Sequence, residues 1–117
     1  MRHPLTFYYL DGQEVKPTLD AKKWSQEFER AHCIVAQTDV GSYWVSTVFI
    51  GIDHNFFGDG PPLVFETMIF RNEPNGERHS VDGWIERAST WDEAALMHVH
   101  GVAWAQQQLE GLPPTEG

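Results

Sequence analysis

The chain has 117 residues, 41% of them hydrophobic and 13% aromatic, which is enough apolar surface for one packed core and too much for a disordered segment. Eight Lys and Arg against seventeen Asp and Glu give a net charge of -9, so nothing supplies the basic face that phosphates require, and direct nucleic-acid binding is not expected. The acids are scattered rather than blocked, which also disfavours mimicry of DNA. The single Cys33 excludes an intramolecular disulfide and fits a reducing cytoplasm, where it reads as a small buried hydrophobe. Apolar runs stay well short of the roughly 20 residues that span a bilayer. The start MRHPLTFYY lacks the long apolar region of a signal peptide. Residues 1–117 therefore read as a single cytoplasmic domain with no membrane partner.

In chain order, LTFYYL at 5–10 has strand character, and Asp11-Gly12 turns it into Gln13-Glu14-Val15, closed by Pro17. Asp20 is placed to cap a first helix, whose buried face is Ala21, Trp24, Phe28 and Ala31. Cys33 to Val40 returns to strand, and Gly41-Ser42 leads into Tyr43 to Ile52, rich in β-branched and aromatic residues. A loop from Asp53 to Pro62 precedes a strand from Leu63 to Phe70. Asn75-Gly76 is the tip of the next turn, and Val81 to Ala88 is the last strand. Thr90 and Glu93 form a capping box for a helix to about Glu110, stopped by Gly111 and Pro113-Pro114. Its expected core stripe is Trp91, Ala95, Val99, Val102 and Leu109. The order β-(β)-α-β-β-β-β-α predicts an α+β fold, an antiparallel sheet of four or five strands with two helices on one face.

Both faces of that sheet are largely apolar. Val45, Thr47 and Phe49 oppose Val48, Ile50 and Ile52, while Leu63, Phe65 and Ile69 oppose Val64, Met68 and Phe70. Two helices cover one face, and a solvated face would alternate more cleanly. The second face is expected either to meet a two-fold partner, giving a homodimer, or to lie under the long loop and the N-terminal hairpin.

Several residues carry candidate chemistry. Asp53-His54-Asn55 with Asp59 partly resembles a calcium loop, but Phe57 stands where a ligand is needed and Glu66 falls too late to close it; turn-making is the simpler role. His98 and His100 lie two apart on a helix and point in opposed directions, so they do not chelate one zinc ion. No metal and no cofactor are expected. Glu66 shares a strand face with Val64, Met68 and Phe70, and Arg87 is its natural partner if the intervening hairpin aligns them. The ligand-binding candidates are thus Asp53, His54, Asn55, Glu66, Arg87 and His98, which either converge on one polar pocket or serve structural roles. Met97, His100 and Trp104 on the outer helix face form a candidate partner surface. No nucleophile set and no phosphate-cradling loop are visible.

The stretches YYLDG at 8–12, VSTVFIGIDHNFFGDGPPLVFETMIF at 45–70 and IERASTWDEA at 85–94, with His98 following, resemble a family of short proteins from phage and prophage genomes. The resemblance implies an accessory role in the host cytoplasm and carries over no functional residue, since no activity is established for that family. The leading expectation is a non-catalytic binding protein whose partner is a host protein or a small nucleotide-like metabolite. A small enzyme built on Asp53, His54, Glu66 and His98 is one alternative. A minor structural or assembly protein of a phage is the other.

Overall fold

Gly12-Gln13, one residue beyond the expected Asp11-Gly12 turn, folds Phe7–Asp11 (β1) back on Glu14–Thr18 (β2) in antiparallel register, with Tyr8 opposite Pro17 and Leu10 opposite Val15. Pro17 is tolerated because β2 is an edge strand that needs no amide there. The computed structural model describes residues 6–55 and 59–111. Expectations resting on Leu5, on Phe57 and Gly58, or on the Pro113-Pro114 stop lie outside the described residues.

Asp20 caps Ala21–Arg30 (α1) as its sequence position requires, accepting from the Lys22 and Lys23 amides at 3.0 and 3.2 Å. Four antiparallel strands then follow in sequential order: Ile34–Val40 (β3), Tyr43–Phe49 (β4), Phe65–Asn72 (β5) and Arg78–Ala88 (β6). The last helix, Trp91–Glu110 (α2), lies across this sheet and ends at Gly111 in the left-handed conformation. The described residues form an α+β fold of two helices and six strands, arranged as a two-stranded and a four-stranded antiparallel sheet.

Both helices occupy the Val45, Thr47 and Phe49 side of the four-stranded sheet. A run of aromatic contacts binds the parts together, from Phe7 on Trp24 (5.0 Å) to Trp24 on Phe28 (5.4 Å), Phe28 on Phe49 (6.1 Å), Phe49 on Phe65 (5.2 Å) and Phe65 on Trp91 (6.2 Å). Such offset and edge contacts each add to the area they bury. The hairpin and α1 are thereby packed at one end of the sheet, beside the start of α2.

The stripe expected on α2 is corrected by the structure. Ala94, Met97, His98, Gly101 and Ala105 face the sheet, while Val99 and Leu109 are 59% and 50% exposed and Ala95 is exposed. Apolar residues surround this helix, so apolarity alone did not select its inner face. Closeness did: a Cβ on Gly101 would stand 2.9 Å from Val45 Cγ1 and 3.2 Å from the Trp84 ring. Small residues win the positions where helix and sheet backbones approach most nearly. Met97, expected outside, is accordingly buried in the core, and Trp104 packs on Tyr43 and Trp84 with ring separations of 5.5 and 6.5 Å. His100 alone of that trio is exposed.

Candidate functional site

The connection after β4 is built from its own polar side chains. Asp53 Oδ1 accepts from the Asn55 amide at 2.8 Å and from the Leu63 amide at 2.9 Å, tying the two ends of the loop. His54 donates its amide to the Leu63 carbonyl at 2.9 Å, and its Nδ1 lies 3.1 Å from the Ile52 carbonyl. Asn55 reaches the Pro61 carbonyl at 3.4 Å. Such side-chain to backbone bonds are what Asx-rich turns make. Among the described residues, no group of three or more His, Cys, Asp or Glu is placed to hold a metal ion.

Glu66 and Arg87 are register partners, and Arg87 Nε donates to Glu66 Oε2 at 3.2 Å. They stand on the sheet face turned away from α2. His98 stands on the opposite side, wedged between α2 and the strands: its Nε2 is 2.8 Å from Thr38 Oγ1 and its Nδ1 is 2.8 Å from Thr47 Oγ1, which meets Thr67 Oγ1 at 2.5 Å. A neutral imidazole has one donor and one acceptor nitrogen, and hydroxyls serve either, so the chain of four groups is satisfied in both directions. Burial pushes the His98 pKa down from its ordinary value. The six ligand-binding candidates therefore occupy three places: Asp53, His54 and Asn55 in the loop, Glu66 with Arg87 on the outer sheet face, and His98 beneath the helix. The single polar pocket is not formed. Cys33 Sγ lies near the Phe28 and Ala31 carbonyls, and burial pushes its thiol up, away from the reactive thiolate.

An apolar recess lies elsewhere, where the hairpin meets the start of α2. The Tyr8 amide donates to the Gly51 carbonyl at 3.0 Å, which pins β1 to the end of β4. Gly51 permits this seat, because at φ 71° its missing side chain would point 2.9 Å from the Tyr8 carbonyl and 2.8 Å from Trp24 Nε1. On the other side, the Val64 amide bonds the Ala88 carbonyl at 3.0 Å and delivers the chain into the helix cap. Thr90 Oγ1 accepts from the Glu93 amide at 3.1 Å, and Glu93 Oε1 accepts from the Ser89 amide at 3.2 Å. The reciprocal bond thus goes one residue earlier than the expected capping box.

Between these two walls opens a cleft of about 670 Å³. Its apolar lining comes from Tyr8, Val15 and Pro17 on the hairpin, Pro61 and Pro62 below, and Trp91 opposite. Asp11, Glu14 and Asp92 stand on its rim, and among the described residues no Lys or Arg lines it. Sequence reasoning passed over this cleft because its walls, Tyr8 and Trp91, come from near the two ends of the described residues and no local pattern joins them. No family model, curated protein or solved structure matches this chain.

Proposed function

We propose that the protein is a non-catalytic binding module, a phage-type accessory protein whose cleft takes an apolar, positively charged segment of a host protein. The observation that carries this reading is the cleft itself, with walls of Tyr8, Pro17, Pro61 and Trp91 and a rim of Asp11, Glu14 and Asp92. Its volume falls in the range of sites that enclose a small ligand or a few side chains. Aromatic and proline surfaces are the usual seat for extended, proline-bearing peptide segments, because both sides are rigid before they meet. An acid rim on a chain of net charge -9 attracts a cationic partner and repels nucleotide phosphates, so a peptide suits this site better than a nucleotide-like metabolite. All three stretches that resemble the phage and prophage proteins meet at the cleft. The enzyme alternative needs Asp53, Glu66 and His98 together, and they lie in separate places.

A titration followed by heteronuclear NMR tests the reading with two probes, a short Arg- and Pro-containing peptide with leucines and its counterpart with Glu in place of Arg. Saturable shifts are expected at the Trp91 indole and the Val15 amide with the cationic peptide only. They should weaken with salt and in the exposed-rim double variant Asp11→Lys, Glu14→Lys. Equal responses to both peptides, or shifts confined to another face, would overturn it.

A further inference from the structure

We infer that the outer face of the four-stranded sheet is the interface of a two-fold homodimer, a surface separate from the cleft. Across β4, β5 and β6 that face carries Trp44, Val48, Met68, Phe70 and Ile85, with Trp44 and Phe70 rings 5.3 Å apart and Ile85 46% exposed. Among the described elements neither helix packs on it, because α2 lies on the Thr47 side and α1 meets the sheet through Phe28 on Phe49.

Size and charge together point to a second copy as the occupant. Four strands spaced about 4.8 Å apart, of 7, 7, 8 and 11 residues, present a patch on the order of 500 Å², so two such faces remove about 1,000 Å², the lower bound of a specific interface. The strands place Asp39, Glu66, Arg78 and Arg87 on this face by alternation, two acids with two bases, in a chain whose net charge is -9. Two copies so acidic repel through any average surface, and this neutral face is where they can approach. A basic partner gains nothing here and is drawn to the acidic cleft instead. Three of these four groups already have partners on the face. Glu66 pairs with Arg87 at 3.2 Å, while Arg78 stacks 4.1 Å over the Trp44 ring and donates to Asn72 Oδ1 at 2.7 Å. Burying the face in a dimer therefore keeps the Glu66–Arg87 pair together and leaves Arg78 its ring and amide oxygen.

Sedimentation equilibrium of the full chain at about 50 μM reads the outcome. The protein should sediment at twice its 13.4 kDa chain mass, and more firmly at high salt as the repulsion between acidic copies is screened. Ile85→Glu and Met68→Glu should each yield monomers with an unchanged far-UV circular dichroism spectrum. Ile85 is the decisive position, since it is exposed in the single chain and tolerates a charge without unfolding. Leu96→Glu, on the outer side of α2, should leave the dimer intact. A wild-type monomer overturns the inference and leaves the face to another partner. A dimer indifferent to Ile85→Glu, or one that Leu96→Glu breaks equally, overturns it too. The peptide response at Trp91 is independent of all these results.

Discussion

Gly51→Ala should destabilise the protein by about 3 kcal/mol, about twice the effect of the same change at Gly12. Both glycines adopt the left-handed region, with φ 71° at Gly51 and 67° at Gly12. An alanine there costs roughly 1–2 kcal/mol at either position. They differ in surroundings. A Cβ on Gly12 meets nothing within 4 Å, whereas on Gly51 it meets Trp24 Nε1 at 2.8 Å, the Tyr8 carbonyl at 2.9 Å and Phe28 at 3.2 Å. Forcing a methyl into such a seat adds about 1–3 kcal/mol. For a chain of this length the midpoint of thermal unfolding should fall by about 12 °C for Gly51→Ala and about 6 °C for Gly12→Ala, measured by calorimetry and checked by urea titration. The difference between them isolates the packing that seats the hairpin and α1 on the end of β4. Equal losses would refute that packing, and with it the geometry of the cleft wall that Tyr8 forms.

The remaining predictions concern the residues that sequence singled out. Asp53→Ala deprives the Asn55 and Leu63 amides of their acceptor and should cost about 2 kcal/mol in urea unfolding, with faster amide exchange at both positions; unchanged exchange would contradict the turn role. Burial lowers the folded pKa of His98 below its ordinary 6.5, so in acid the unfolded chain takes a proton that the folded chain resists. Stability from this group is present above about pH 6.5 and is lost as pH falls through that value toward the lowered one. His98→Gln should flatten the stability profile in that window, and an unaltered profile would assign the slope to another histidine. In the monomeric Ile85→Glu background, Glu66→Gln should cost no more than about 1 kcal/mol, since there the pair with Arg87 sits on the sheet surface with both side chains partly exposed; a loss of several kcal/mol by urea titration would contradict that placement.

Local rules made most of the elements legible. Asp20 and Thr90 mark the two helix starts, Asp11-Gly12 and Asn75-Gly76 mark hairpins, and alternation in Tyr43–Phe49 and Phe65–Asn72 gives the strands their faces. Residue type alone named Arg87 as the partner of Glu66; the register set by the turn would place Trp84 there, and the irregularity between Met68 and Phe70 is what brings Arg87 alongside. The inner face of α2 was not. A helix apolar on all sides leaves its orientation to backbone approach, and Gly101 against Val45 is a tertiary contact with no local signature. Thr38, Thr47 and Thr67 escaped notice for a related reason. In a strand a threonine is ordinary, and only the arrival of His98 from a helix far along the chain makes the three a hydrogen-bonded set. The cleft likewise depends on Gly51 bringing Tyr8 to within reach of Trp91.

Selection from a random twelve-residue peptide library, with wild-type protein as bait and the Asp11→Lys, Glu14→Lys variant as counter-bait, tests the binding reading most directly. The account predicts that wild type enriches peptides of net positive charge bearing proline or aromatic residues, and that these lose affinity for Trp91→Ala. Enrichment of acidic peptides, or of the same peptides on wild type and on the rim variant, would contradict it.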